Sequence, residues 1–556
     1  MGIFRRLVAK KLSRVVIAIP KDVYMRALIR IASEGLLHLE EPSRSLPGKP
    51  SPRFREAFTK ASEKVSKALT YMEAIGLKPE FRKVSIAVRG DCLAAFSRTL
   101  SEYEKYEARF DALAQEVSAL GGAHAVESSQ LPRGIVEKLY EYYTVMYAFR
   151  ELFRMLAHGV ESSTFFFVEG YVDDEELPKL TRILDEETGG AYAIVRMRWG
   201  RGHVVEATPV KLELPPIISS FHEITRMYGE PRPGEIVPTI FLAVTFPVAF
   251  ALMFPDAGHG LVLVLLGLLF SRRSKVWRDI FVVVGLAAFI SGLLAGEFFG
   301  PLGGHLLEKL FGWISPIPPL ALPTYAIEKG LGSEVVFDLL IGVIVRGLWF
   351  GAFMLSFGSL LGVLNAWLSE SIYELLGFRL PKFLLFSSIA LAVFTVPLAP
   401  HLATLVVALA AGGALVAIAW LFFLAPVIGV LSGHEVGESI VEGVMEGFDT
   451  IIMAMGNLPS FLRIVALALA HSVIMLSFTF IYHTLAEFGL FGSIAGLILY
   501  VGGNVIALAI EGIIVFAHAI RLHFYEWFSK FYYGGGLPFT PVSTPPVFAI
   551  EESSQD

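Results

Sequence analysis

Residues 460 to 471 read SFLRIVALALAH, and the apolar run continues as SVIMLSFTFIY. An arginine inside such a run costs roughly 2.5–3.5 kcal/mol on insertion scales, so by default it marks a functional site. Arg463 has company. Asp449 lies 14 residues before it, Asn457 six before it and His471 eight after it. At 1.5 Å per residue Asp449 is ~21 Å from Arg463 along a helix, which puts the carboxylate at a mouth and the guanidinium in the middle. A second apolar stretch, EGIIVFAHAIRLHFYEW, carries Glu511, His518 and Arg521. At ~100° per residue Glu511 and His518 differ by ~20° and His518 and Arg521 by ~60°, so the three share a helix face. Carboxylates and imidazoles exchange protons, whereas a guanidinium stays charged and cannot relay one. The chemistry this set allows is ion or proton transfer along a polar path.

Upstream, HEVGESIVEGVMEGFD repeats Glu435, Glu438, Glu442, Glu446 and Asp449 every three or four residues, one stripe of a helix. Such a stripe reads as a negative vestibule that raises the local cation concentration. Each piece alone has a plainer reading. Arg463 paired with Glu511 would simply pin two helices together. A lone histidine at 471 or 518 is more often a hydrogen-bonded core residue. Arg521 and His523 near the end of a span can snorkel to headgroups, Asp449 can be a helix-end residue in water, and the stripe can be a solvated face. Glu297 and Arg346, also in apolar surroundings, read as interface residues. The functional reading gains from concentration: ionisable groups gather on two helices while most other apolar segments are nearly free of charge.

The elements that must position these groups follow from composition. The 556 residues are 54% hydrophobic with a mean hydropathy of +0.60, outside the range of a soluble protein. Of 46 Lys and Arg, 34 precede Gly234, so a water-facing part gives way to a lipid-facing one. Eight spans are expected, at about 236–254, 257–271, 279–299, 337–366, 383–399, 403–430, 450–485 and 492–527. The second is short for the ~20 residues a crossing needs, and the last two, at ~52 Å each, are too long. They must tilt, kink or project, and Gly456 with Pro459 offers a kink. The basic loop SRRSKVWRD, with Arg379 and Lys382, places two connections in the cytoplasm by the positive-inside rule. The leader MGIFRRLVAKKLSRVVIAIP has too short an apolar run for a signal peptide, so the N-terminal domain and the C-terminus are both expected there.

The first ~230 residues mix strands (SRVVIAIP, KVSIAVRG, TFFFVEGYV, AYAIVRMRW) with covering helices (KDVYMRALIRIASEG, DDEELPKLTRILDEE) and long helices near 53–76, 91–121 and 129–158. Leu93, Phe96, Leu100, Tyr103, Phe110, Leu113, Val117 and Leu120 form a lengthwise packing stripe. The expected fold is an N-terminal α/β domain, two α/β lobes joined by a helical coiled-coil rod, followed by an all-α polytopic membrane domain whose last two helices are long and tilted. One compact α/β domain with long helices is the alternative. Expected boundaries are 1–232, 233–533 and a cytoplasmic tail, 534–556, of which the last part, STPPVFAIEESSQD, is expected to be disordered. The single cysteine, Cys92, gives no disulfide framework and no sign of a metal cluster, and no cofactor is expected.

SFLRIVALALAH together with EGIIVFAHAIRLHFYEW resembles the C-terminal helix pair of subunit a of rotary V-type and archaeal A-type ATPases, called subunit I in archaeal complexes. The likeness extends through MYGEPRPGEIVPTIFLAVTFPVAFALMFPDAGHG and FFFVEGYVDDEELPKL and covers most of the chain. Pro255 stands where the family has glycine, and Pro459 where it has a flexible aliphatic residue. The resemblance implies that Arg463 and Arg521 face the carboxylate-bearing proteolipid c-ring. It implies that Asp449 and Asn457 line the cytoplasmic half-channel and that Glu511, His471 and His518 line the opposite one. Partners would be the ring, the peripheral stalk subunits, indirectly the soluble ATPase sector, and the bilayer of the cell membrane, with no nucleic acid. ATP would not bind this chain, and no GxxxxGK[ST] loop is present. Ring residues choose the ion, so both H+ and Na+ stay open. A secondary transporter is the rival reading, but such folds show paired halves, and spans one to four do not repeat in five to eight. A purely structural anchor for a cytoplasmic complex leaves two arginines at depth without a role.

Overall fold

The computed structural model describes residues 7–43, 46–74, 77–89, 99–109, 111–112, 133–197, 208–304, 309, 322–330, 332–369 and 371–551. The chain divides into two compact units, one built from Lys10–Lys211 with Leu537–Asp556, the other from Met1–Ala9 with Leu212–Gly536.

In the first unit, strand β1 (Ser13–Pro20) leads to helix α1 (Tyr24–Glu34), β2 (His38–Leu39) and α2 (Pro52–Ala74). Then come β3 (Ile86–Arg89), α3 (Arg133–Ala157), β4 (Val160–Glu161), β5 (Phe165–Val172), α4 (Leu177–Thr188), β6 (Ala193–Met197) and β7 (Pro209–Val210). Val15, Ile17 and Ile19 alternate inward along β1, the period-two signature of a sheet packed on one face. The sheet order is β2-β5-β1-β6, with β4 on β5. β1 and β5, assigned by sequence to separate lobes, pair antiparallel from Ser13↔Val172 to Pro20↔Phe165.

The strands therefore form where their composition predicts, but the two-lobe grouping does not hold for the described residues. Val15 of β1, Leu28 of α1, Val65 of α2, Phe149 of α3, Val168 of β5 and Leu184 of α4 belong to one core. α2 and α3 pack on each other, and Phe58 of α2 meets His158, just past the end of α3, edge-on at 6.5 Å. Of the predicted stripe, Leu93, Phe96, Phe110, Leu113, Val117 and Leu120 lie outside the described residues, as does Cys92. Tyr103 is buried edge-on against Phe149 and Phe153, with ring centroids 5.7 and 5.6 Å away.

The C-terminal tail, expected to be disordered from Ser543 onward, is structured through Glu551. β8 (Leu537–Pro538) pairs with β7, and β9 (Phe548–Glu551) runs parallel to β3. Val542 and Val547 are buried in the same core. Two valines and a strand edge supply the apolar area and backbone partners that a disordered assignment overlooked.

The second unit opens with α5 (Pro216–Tyr228) and two apolar helices, α6 (Thr239–Met253) and α7 (Ala257–Phe270). Six longer apolar elements among the described residues are suited to crossing a membrane. These are α8 (Lys275–Ala295), α10 (Ser333–Leu368), α11 (Tyr373–Leu398), α12 (Pro400–Leu431), the pair α13 (Val436–Ser460) and α14 (Leu462–Ala486), and α15 (Leu490–Arg521), which continues to Lys530. The short helix Pro323–Glu328, α9, precedes α10.

Eight crossings were expected. The first two of them are helices of 15 and 14 residues, ~22 Å each, below the ~30 Å of hydrocarbon. The cause is local. Pro255 disfavours the helical region for the residue before it, and Phe254 stands at φ −134°, ψ 66°, closing α6 before the acidic turn. The break between α13 and α14 falls at Phe461, just after Pro459, whose ring cannot sit against the carbonyl four residues back in a straight helix. The acidic stripe is therefore continuous with the expected seventh span, and α13 with α14 runs 51 residues.

Candidate functional site

Asp256, completely buried, is where three segments meet. Its Oδ1 accepts from the backbone N–H of His259 and of Phe299, both at 2.9 Å, and its Oδ2 from that of Gly300 at 2.6 Å. The side chain thus caps α7 and clasps the loop after α8. The end of α8 and that loop are held close to the turn by small residues. A Cβ at Gly292 would lie 2.0 Å from the Ala257 nitrogen, and Gly300 takes φ +86°, the left-handed region. The Ala257 N–H in turn donates to the Glu297 carbonyl at 3.0 Å.

Two histidines close on this carboxylate. His259 Nδ1 lies 3.2 Å from Asp256 Oδ1, and its Nε2 donates to the Asn504 carbonyl at 3.2 Å. His471, from α14, presents Nε2 to Asp256 Oδ2 at 3.7 Å, while its Nδ1 sits 2.6 Å from Glu511 Oε2 of α15. The two imidazoles meet at 5.5 Å between ring centroids, and Phe254 covers His471 at 4.5 Å. Beside them Glu297 is buried, its Oε1 accepting from the Thr324 hydroxyl at 2.7 Å and its Oε2 without a hydrogen-bond partner. Four acidic or imidazole groups from α7, its preceding turn, α14 and α15 therefore form one network, with Glu297 at its edge.

A second cluster lies ~12 Å along α14, eight residues before His471. Arg463 donates to the Ser460 hydroxyl at 3.1 Å, and its other terminal nitrogen, 3.9 Å from Glu526 Oε1, has no hydrogen-bond partner. Ser460 is itself bonded to Glu526. Arg521 and His518 lie close enough for their charges to interact with Arg463; Arg521 is exposed and His518 half-buried. The helix-pinning pair considered for Arg463 and Glu511 is not formed: each has a different partner. Along the shared face of α15 the surroundings change with height: Glu511 meets His471, and His518 and Arg521, about two to three turns further on, lie nearer Arg463.

On α13, Asp449 is exposed, and half-buried Asn457 has an amide nitrogen without a partner. Glu435 and Glu438 are exposed. Glu442 accepts from the Tyr373 hydroxyl at 2.7 Å, and Glu446 pairs with Lys382. His523, weighed as a snorkelling residue, is wholly buried, donating to the Ala519 carbonyl at 2.7 Å and accepting from Thr245 Oγ1 at 3.0 Å. Arg346 lines an apolar cavity of about 380 Å³ between α6, α8, α10 and α14.

Sequence reasoning left Asp256, His259 and Glu526 out of the site and assigned Glu297 to an interface. For the first two a signal existed: an aspartate and a histidine three residues apart within an apolar stretch, MFPDAGHG, are as costly in lipid as Arg463. Glu526 sits among aromatic residues at the end of its helix and gave no spacing cue. The arrangement as a whole offers a guanidinium with a free donor beside a serine and a carboxylate, and, about two helical turns past it, a chain of imidazoles and carboxylates that can pass protons or coordinate a cation.

The sequence profile of the V-type ATPase 116kDa subunit family matches residues 59–280 and 430–544, well over half the chain. Asp256, His259, Arg463, His471, Glu511, His518 and Arg521 all fall inside the match, and Glu297 outside it. The chain is 32% identical to the A-type ATP synthase subunit I of Aeropyrum pernix, over 97% of this chain and 98% of that protein. Identity to the subunit I of Saccharolobus solfataricus is 28%, over 71% of this chain and 62% of that protein, and to that of Methanocaldococcus jannaschii 24%, over 87% and 68%. With its matched segments carrying both charged clusters, the chain belongs to the V-type ATPase 116 kDa subunit family.

Proposed function

We propose that this chain is the membrane stator subunit of a rotary A/V-type ATP synthase or ATPase, and that it couples H+ or Na+ translocation to rotation of a proteolipid ring. The observation that carries the reading is the guanidinium of Arg463, which reaches Ser460 and Glu526 yet keeps one terminal nitrogen without a hydrogen-bond partner. A ring carboxylate in lipid stays neutral because its ionised form is too costly there, and contact with a fixed cation lowers its pKa and releases the ion. Arginine suits this role because it remains charged and relays no proton, so it also blocks a leak between two half-channels.

In this reading Asp449 and Asn457 serve the cytoplasmic half-channel. The network of Glu511, His471 and Asp256 serves the opposite one, with His518 and Arg521 at the ring-facing end. Each charge crossing gains ~2.3 kcal/mol per 100 mV, so several are needed per ATP. The two elements of 51 and 41 residues, ~76 and ~61 Å, tilt or project beyond the bilayer, and α6 with α7 completes the set of eight apolar segments. The α/β unit binds the peripheral stalks, and the basic loop Arg272–Arg278 faces the cytoplasm with it. Arg463→Lys is expected to leave assembly intact while ATP-driven ion uptake into reconstituted vesicles falls at least tenfold, because lysine loses its proton when desolvated and lacks the planar fork. Uptake at the wild-type rate would overturn the assignment.

A further inference from the structure

The histidine network has an electronic feature that translocation alone does not require. The carbonyl of Asn504 can only accept, so His259 Nε2 carries the proton in that bond, and in the neutral ring Nδ1 is then a bare lone pair. That lone pair points at a carboxylate oxygen 3.2 Å away. His471 repeats the pattern: its Nδ1 is engaged with Glu511, and Nε2 faces the other oxygen of Asp256. Neither His259 Nδ1 nor His471 Nε2 has a hydrogen-bond partner, and both side chains are 1% exposed. Two bare nitrogens and a carboxylate therefore converge on one buried point, where a positive charge is the missing complement.

We propose that Asp256, His259 and His471 form a binding site for a divalent transition ion of the Zn2+ class. The ligand atoms lie within 4.8 Å of one another. Around one ion with bonds of ~2.0–2.1 Å they would stand ~3.3–4 Å apart. Both histidines already have the outer hydrogen bond that metal-bound imidazoles make, His471 to a carboxylate and His259 to a backbone carbonyl, fixing the tautomer that offers the free nitrogen inward. Asp256 is itself oriented by three backbone N–H groups, with Oδ2 accepting only one of them. Two imidazoles and a carboxylate leave one position for water, the donor set of an open zinc site. Because His471 and Asp256 belong to the proposed half-channel, the bound ion blocks passage; this consequence, unlike the binding itself, rests on the function proposed above.

The test uses the intact complex purified with this subunit, stripped with a chelator, loaded with Zn2+ alone and dialysed. Bound zinc is counted by mass spectrometry and its shell read by X-ray absorption. The expected result is one more zinc per copy of this chain than in the His259→Gln complex, with two imidazole ligands in its shell. Micromolar Zn2+ should also inhibit ATP-driven ion uptake, with the half-inhibitory concentration raised at least tenfold by His259→Gln. If the variant fails to assemble, the wild-type absorption spectrum decides alone, since a shell lacking two imidazoles overturns the site. Equal zinc in wild type and variant overturns it too. Zinc bound through two imidazoles with uptake unaffected keeps the site and removes the half-channel reading instead.

Discussion

At the scale of single residues, the outcome that separates a proton path from a structural clamp concerns Glu511. Its partner is His471 at 2.6 Å rather than an arginine, so Glu511→Gln leaves no buried guanidinium without its counter-ion, and the amide oxygen can still accept from Nδ1. The complex should therefore assemble. Ion uptake should fall at least tenfold, since positioned acid–base groups contribute ~10²–10⁴ in rate, and Glu511→Asp should recover part of it. Loss of assembly with Gln, and normal flux in whatever complex survives, would make Glu511 structural. In the α/β unit a different carboxylate sets an acid limit. Burial pushes the Asp173 carboxyl up, but the Glu175 N–H at 3.1 Å and the Lys211 ammonium at 3.1 Å outweigh it, so its pKa is held below the ordinary value. Burial lowers Lys211, and Glu176 with Asp173 more than restores it, so its pKa is raised. A depressed carboxyl stabilises the fold above its unfolded value of ~3.9 and loses that contribution as pH falls through the folded value. A raised amine holds below ~10.4 and fails as pH rises past its folded value. The contribution of this pair to the protease resistance of the unit should thus be flat between about pH 4 and 10. Asp173→Asn should be less resistant at pH 7 and show a shallower acid limb.

At the scale of elements, the acidic stripe on α13 divides into two sets of surroundings that its spacing could not distinguish. Glu442 and Glu446 are engaged by Tyr373 and Lys382, whereas Glu435 and Glu438 are exposed. Replacing Glu435 and Glu438 together by Gln should slow ion uptake several-fold at low ionic strength, as steering fields do, with assembly unchanged. The defect should vanish near 1 M salt, where the Debye length is ~3 Å; a defect indifferent to salt would rule out steering. Glu446→Gln should instead lower the yield of assembled complex, because it leaves Lys382, largely buried, without its partner. The two prolines, Pro255 and Pro459, also differ in effect. Pro459 produced the interruption expected of it, at Phe461, whereas Pro255, for which no structural effect was expected, ends α6 after 15 residues.

At the scale of the whole molecule, the last residues of the chain complete the fold of the first two hundred. The Val542 N–H donates to the Leu37 carbonyl at 2.9 Å, the Thr544 N–H to that of Ala32 at 3.0 Å, and Val542 and Val547 are buried. Burying a valine stabilises by roughly 1.5–3 kcal/mol, so truncation after Gly536 removes a substantial share of a typical domain's margin. Such a chain should still insert in membranes, yet its α/β unit should be cut by protease at lower temperature than in the full-length protein. Equal resistance would show the tail to be dispensable.

Helices, strands and the charged residues within them were legible in the sequence because their causes are local. Runs of ~20 apolar residues, a period of 3.6 or 2, and the cost of one arginine in lipid are all read from neighbours along the chain. Arg463, His471 and Glu511 could therefore be singled out from their own segments. What each one faces could not. Asp256 meets His471 across 215 positions, β1 meets β5 across 150, and β3 meets β9 across more than 450; such pairings are set by the packing of whole elements and leave no periodicity behind. The partner exchange that gave Glu526 to Arg463 and His471 to Glu511 was decided only when α14, α15 and the turn at Asp256 came together, because charges without water settle on whichever partner the packed helices bring within a few ångströms.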